Sequence, residues 1–224
     1  MLPTYQVRAT NDTSPLCAAW ESRLWQQADA APIDNYHPAS SDHRPDVTVR
    51  LLYDIENLYV RYRVVDRYVV ARHLGFQAPV WRDSCVECFL QPKTERGYFN
   101  FEINCGGSLL LCYIEDPTRK AEGFARYTRV DEAVTALVEI KHTMPQRVEP
   151  EIDVPTTWEI ACRIPLRVLE TYVGPLGNLA GQEWRTNFYK CADDSSHPHW
   201  GSWSPIGEEL NFHQPSYFGT LQFL

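Results

Sequence analysis

From residue 47 onward the chain alternates short runs of β-branched and aromatic residues with tight polar turns, and this pattern constrains the fold more than any other feature. Residues 47–54 and 58–64 flank Ile55-Glu56-Asn57, which is a hairpin signal. In the second run Leu58, Val60, Tyr62 and Val64 share one face, and Tyr59, Arg61 and Arg63 share the other. Further strands are predicted at 86–90, 98–104, 109–114, 127–130, 133–142, 157–164, 184–189 and 218–223. Residues 98–104 and 109–114 form a second hairpin around Gly106-Gly107, and a two-residue turn there places Cys112 opposite Phe101. Helix is expected at only two places. One runs from about residue 12 to Leu24, behind Asp12-Thr13-Ser14-Pro15. The other covers 165–172, opened by Pro165 and closed by Gly174-Pro175. The expected fold is all-β: an antiparallel β-sandwich, of jelly-roll or immunoglobulin-like type, with short peripheral helices. No Pro/Gly/Ser-rich linker divides it, so residues 1–224 read as a single domain.

Composition narrows the function classes. Asp plus Glu exceed Lys plus Arg by 29 to 21, a net charge of −8. That balance opposes a nucleic-acid surface, which needs clustered cations against phosphate, and equally an anionic membrane surface. The longest apolar run, 109–114, is too short to span a bilayer. The N-terminal residues lack a basic start followed by an apolar run, so no signal peptide is visible. As written the chain is expected to be cytoplasmic, or extracytoplasmic if a signal has been removed.

Seven cysteines, at 17, 85, 88, 105, 112, 162 and 191, form no regular framework. Cys85 and Cys88 spell C-x-x-C, but on a strand residues three apart face opposite ways. A redox pair of that spacing needs a helix N-terminus to lower the thiol pKa. Reduced thiols are expected.

Two segments carry most of the chemistry. In residues 79–90, Trp81 precedes a strand and Glu87 follows six residues later, on the same side of an extended chain. A loop indole is a flat apolar platform of the kind on which sugar rings stack, while sugar hydroxyls need planar polar partners. In residues 184–205 a strand enters a polar loop with Trp200 and Trp203. His197 and His199 beside Asp193 and Asp194 invite a metal reading. Zinc sites generally show a third ligand at better-defined spacing, so local hydrogen bonding is the simpler account.

The ordered set Trp25-Gln26-Gln27-Ala28, Leu51-Leu52-Tyr53-Asp54, Val64-Val65-Asp66, Trp81 through Leu90, Phe101-Glu102-Ile103-Asn104, Trp158-Glu159-Ile160-Ala161, Ile164-Pro165-Leu166, Asn187, Trp203-Ser204 and Phe218-Gly219-Thr220-Leu221 resembles the family 9 carbohydrate-binding modules, most of all their stand-alone bacterial members. The resemblance covers residues 25–224. It implies a sandwich that binds soluble sugars or polysaccharide chain ends in a slot between two tryptophans. Trp81 matches the first wall and Glu87 a hydroxyl-binding carboxylate. Trp203 matches the second wall, with Trp200 as the alternative. Asn104 and Asn187 match polar positions near the slot. Structural calcium is also implied, with Asp66 and Asp83 as candidate ligands. The loop of residues 193–200, the segment 145–155 and the first 25 residues depart from the pattern.

Three readings follow. The first is non-catalytic carbohydrate binding, with Glu87, Asn104, Asn187, Lys190 and Arg82 supplying oriented hydrogen bonds beside the tryptophans. The second is a glycoside hydrolase on the same sandwich, for which Glu87 and Glu102 are the best carboxyl pair. The third is an interaction domain whose tryptophans pack in the core. Exposure of Trp81 and Trp203 discriminates among them.

Overall fold

A computed structural model describes residues 1–224 apart from 13 and 122. Its strands, in chain order, are β1 (Thr4–Ala9), β2 (Ala31–Pro32), β3 (Asn35–Tyr36), β4 (Asp46–Tyr53), β5 (Asn57–Asp66), β6 (Val69–Ala71), β7 (Cys85–Gln91) and β8 (Tyr98–Asn104). Then follow β9 (Leu109–Arg119), β10 (Phe124–Arg129), β11 (Glu139–His142), β12 (Val148–Ile152), β13 (Thr156–Pro165), β14 (Glu183–Cys191), β15 (Trp200–Ser202) and β16 (Gly219–Phe223). Among the described residues three short α-helices accompany them: α1 (Arg23–Gln26), α2 (Glu132–Thr135) and α3 (Leu166–Val173).

The strands form two layers. One runs β10-β9-β8-β7-β14-β16 and the other β4-β5-β13-β11. β1 joins them. Its first half pairs parallel with β16 and its last residues pair parallel with β4. The other pairings in both layers are antiparallel. The sheet-rich sandwich is thus as expected, with β1 as a parallel exception that the N-terminal sequence does not advertise.

Period-2 alternation builds the core. Val49, Leu51, Val60, Tyr62, Val64, Trp158 and Ile160 from one sheet meet Val86, Cys88, Leu90, Phe99, Phe101, Ile103 and Phe188 from the other. The opposite face of β7, β8, β9 and β14 is buried as well. Cys85, Phe89, Tyr98, Leu110, Cys112, Tyr189 and Cys191 form a second apolar layer there, covered by Val80, Ile206 and Phe218. These strands are therefore buried on both faces, the outer one mixing apolar side chains with buried Glu87, Asn100, Glu102, Asn104 and Asn187.

Several local expectations are corrected. The proposed first helix shortens to α1, capped by the Ser22 side chain, and residues 15–17 form turns. The part of that expectation resting on Thr13 lies outside the described residues. The run 133–142 opens with α2 and only its end is strand. In the β8–β9 hairpin the turn has three residues, not two. The Asn104 N–H donates to the Ser108 carbonyl at 3.2 Å, and Gly107 adopts φ 84°, open to glycine. Cys112 therefore faces Asn100 and not Phe101. That one-residue shift moves Cys112 from the sandwich core to the outer layer. α3 forms as expected, between Pro165 and Gly174.

Candidate functional site

A cavity of about 700 Å³ lies on the outer face of β7, β8, β9 and β14. Strand alternation sets its floor. Glu87 and Glu102 are direct cross-strand partners on β7 and β8, with Asn100 two residues before Glu102 on the same face. Cys112 from β9 and Cys191 from β14 complete it. Phe124 and Tyr127 of β10, together with Phe212 and His213, form one wall. Trp81, Asp193 and Trp200 form another, and Arg119 and Arg129 stand at the rim.

The two indoles are held through one residue. Trp81 sits on a short 3-10 turn and is 37% exposed. Its carbonyl accepts the N–H of Asp193 at 3.3 Å, and the Asp193 carboxylate accepts the indole N–H of Trp200 at 2.7 Å. The Arg82 guanidinium pairs with Asp194 at 2.7 Å, which ties the 193–196 loop to the same turn. Arg82 thus positions the tryptophan wall and does not line the cavity.

The floor is polar yet buried. Glu102 Oε1 accepts from the Asn100 amide at 2.7 Å, while Oε2 has no partner among the described residues. Glu87 Oε1 accepts from the Cys191 thiol at 3.1 Å. Burial is the main reason that Glu102 is pushed up to about 7, with the Asn100 hydrogen bond and Arg119 opposing it. Burial, then Cys191 and Glu102, hold Glu87 well above the usual carboxylate range. For a raised carboxyl group the folded chain binds more protons than the unfolded one. Stability is therefore full below the ordinary carboxylate range and declines as pH rises through about 7. We expect Tm to fall between pH 5.5 and 8.5, with Glu102 accounting for on the order of 3 kcal/mol when fully ionised. Glu102→Gln should flatten that profile and be the more stable protein at pH 8.5. Parallel thermal melts of the two proteins, with no difference in slope, would overturn this assignment.

Trp81, Glu87 and Trp200 are brought together as the sequence suggested, but other candidates are not. Trp203 is 9% exposed and packs on Phe188 at 5.3 Å in the main core, where its backbone N–H donates to the Phe188 carbonyl. Trp203→Phe should lower stability by about 1–2 kcal/mol in a denaturant titration while leaving ligand affinity unchanged. Asn104 is fully buried, donating to the His73 carbonyl and Asp83 and accepting from the Ser108 N–H. Asn187 is also buried and fastens to the Ser204 backbone through both ends of its amide. Lys190 is buried between Asp66 at 3.5 Å and His199 at 2.7 Å. None of these four lines the cavity. Asn104, Asn187 and Lys190 are polar and strand-borne for structural reasons that sequence does not separate from ligand binding.

The candidate calcium ligands do not fit that ion. Asp66 accepts from His43 at 2.7 Å, the Arg67 N–H at 2.8 Å and the Trp158 indole at 3.2 Å, beside the Lys190 ammonium. Asp83 accepts from the Arg72 and His73 N–H groups, the His73 ring and Asn104. Calcium needs six to eight oxygens, and these carboxylates face protein donors instead. His197 and His199 part company likewise: His197 stacks on Tyr68 at 3.6 Å, and His199 bonds Lys190.

Phe124, Tyr127, Arg119, Arg129, Phe212 and His213 were not legible as site residues. β10 reads as an ordinary exposed strand, and residues 207–214 have no periodicity to place them.

The match to known families settles the lineage. The family model described as carbohydrate-binding family 9 spans residues 22–223. The chain belongs to carbohydrate-binding family 9. A candidate carbohydrate-binding protein from Bacteroides uniformis ATCC 8492 has the same fold, with 28% identity, a TM-score of 0.85 and 99% of each chain covered. A family 9 carbohydrate-binding module from Caldicellulosiruptor kristjanssonii, solved with glucose, superposes with a TM-score of 0.65 at 15% identity, covering 99% of this chain and 96% of that one. The same organism's module with cellotriose gives a TM-score of 0.66 at 15% identity, covering 99% and 93%. These two support the fold alone. No curated protein matches the chain. No helix among the described residues is long and apolar enough to cross a membrane.

Proposed function

We propose that this family 9 chain binds a neutral saccharide, a chain end or a short oligosaccharide, in the cavity over Glu87 and Glu102, with Trp81 and Trp200 as its indole wall. The observation that carries the reading is the unpartnered Oε2 of Glu102 at the floor of an aromatic-walled cavity. A buried polar atom without a partner costs about 1–3 kcal/mol, and a ligand hydroxyl group relieves that cost. The indole faces supply apolar contact to the C–H faces of a pyranose ring, and the floor orients its hydroxyls. Glucose and cellotriose, found in complexes of the Caldicellulosiruptor module, are the first ligands to try.

The test is a glycan array on the purified chain, followed by calorimetric titration of each hit with free-sugar competition. Saturable one-site binding that quenches or shifts tryptophan fluorescence supports the reading. Absence of any saccharide binding across the array, from a protein with a cooperative melt, would overturn it. Release of reducing ends from a bound glycan would move the reading to the hydrolase alternative.

A further inference from the structure

The C-x-x-C spacing of Cys85 and Cys88 leads nowhere, since Cys88 points into the sandwich core and Cys85 into the outer layer. The true neighbour of Cys85 is Cys191, its direct cross-strand partner on β14. Glu87, two residues along β7, projects on the same face. The sulfurs of Cys85 and Cys191 and a carboxylate oxygen of Glu87 all lie within 4.8 Å of one another. All three residues are buried, and Glu87 and Cys191 form part of the cavity floor.

We propose that Cys85, Glu87 and Cys191 form a binding site for one thiophilic divalent cation of the zinc class. Zinc takes thiolates at about 2.3 Å and carboxylate oxygens at about 2.0–2.2 Å in a tetrahedron, so its donors stand about 3.5–4 Å apart. With the donor atoms all within 4.8 Å of one another and Cys191 Sγ at 3.1 Å from Glu87 Oε1, shifts of about 1 Å bring them to that geometry. Three protein ligands fill three corners, and the fourth faces the cavity, which also gives the ion its way in. Two thiolates favour a soft or borderline ion over calcium or magnesium. The step balances as a substitution. Two S–H bonds break, two metal–sulfur bonds form, and two protons leave to solvent. Glu87 binds as the carboxylate, releasing a third proton when it starts neutral. The hydrogen bond from the Cys191 thiol to Glu87 is the bond that the metal replaces.

This site goes beyond the saccharide reading and shares Glu87 and Cys191 of the cavity floor with it, but not Cys85. Metal and saccharide then compete for that carboxylate, and linkage makes each weaken the other by the same factor.

The test titrates Cd²⁺, then Zn²⁺ in competition, into the full chain kept reduced with a phosphine. The expected result is a thiolate-to-cadmium charge-transfer band that saturates at one ion per chain. Cys85→Ser and Cys191→Ser should each weaken it by about 100-fold or more, and Cys88→Ser should leave it unchanged. A ¹¹³Cd NMR resonance of the wild type in the two-sulfur range reports the same site without any substitution. Three results overturn the proposal: no band near stoichiometric cadmium, a band that survives loss of both cysteines, or a Cys85–Cys191 disulfide that binds no metal. Cys85→Ser, which leaves the cavity lining intact, should keep metal-free saccharide affinity within twofold, so failure of either reading is seen separately.

Discussion

Trp81→Ala should weaken saccharide binding by about 30-fold or more, equivalent to at least about 2 kcal/mol, with little change in Tm. The indole is more than a third exposed and donates no hydrogen bond among the described residues, so the core loses little when it goes. Its backbone carbonyl still holds the Asp193 N–H. Trp81→Phe should recover part of the affinity, because a smaller ring keeps some stacking area. Trp200→Ala should cost similar affinity but also some stability, since it strips the Asp193 carboxylate of its indole partner. Calorimetry and thermal melts on the same samples separate the two effects. Wild-type affinity in Trp81→Ala would remove the tryptophan from the site.

The largest stability effect should come from Asp66→Ala. Asp66 and Lys190 are both buried, and they join β5 of one sheet to β14 of the other. His43, the Arg67 N–H and the Trp158 indole converge on the same carboxylate. Burial alone would raise this carboxyl group, yet Lys190 and the His43 hydrogen bond outweigh it and hold it well below the ordinary range. A depressed carboxyl stabilises the fold at every pH above its ordinary value, and that contribution is lost only in strong acid. Removing the acid strands an ammonium in the interior, at a cost of about 3–5 kcal/mol. For a chain of this size that is a fall of roughly 6–20 °C in Tm. The double variant Asp66→Ala with Lys190→Met should regain much of the loss, since an apolar replacement leaves no unpaired charge. A single variant as stable as the wild type would show that the pair is idle.

The fold was legible because strand alternation and hairpin chemistry are local. The 47–64 hairpin forms where expected, although its turn is Ile55-Glu56 alone and Tyr53 therefore faces Leu58 and not Tyr59. The parallel pairing of β1 was illegible because it depends on β16, more than two hundred residues away. Half the site followed the same logic. Trp81 and Glu87 meet in the cavity as parity suggested, although a 3-10 turn and not extended chain carries Trp81 there. Lys190, Asn104 and Asn187 look identical in sequence to ligand-binding residues, and only the burial around them shows that the scaffold uses every polar atom. Trp203 misled for a related reason: three residues from Trp200, it enters the opposite apolar layer.

The position of β1 also bears on how the chain is made. It borders both sheets, and half of its hydrogen-bonding edge is matched only by β16. On a ribosome that edge stays unpaired until residues 219–223 emerge, so sandwich closure is a late event in synthesis. Until then β1 and β14 each lack their β16 neighbour, and their free edges are open to other nascent chains. Chaperone demand and sensitivity to truncation should therefore concentrate at residues 219–223.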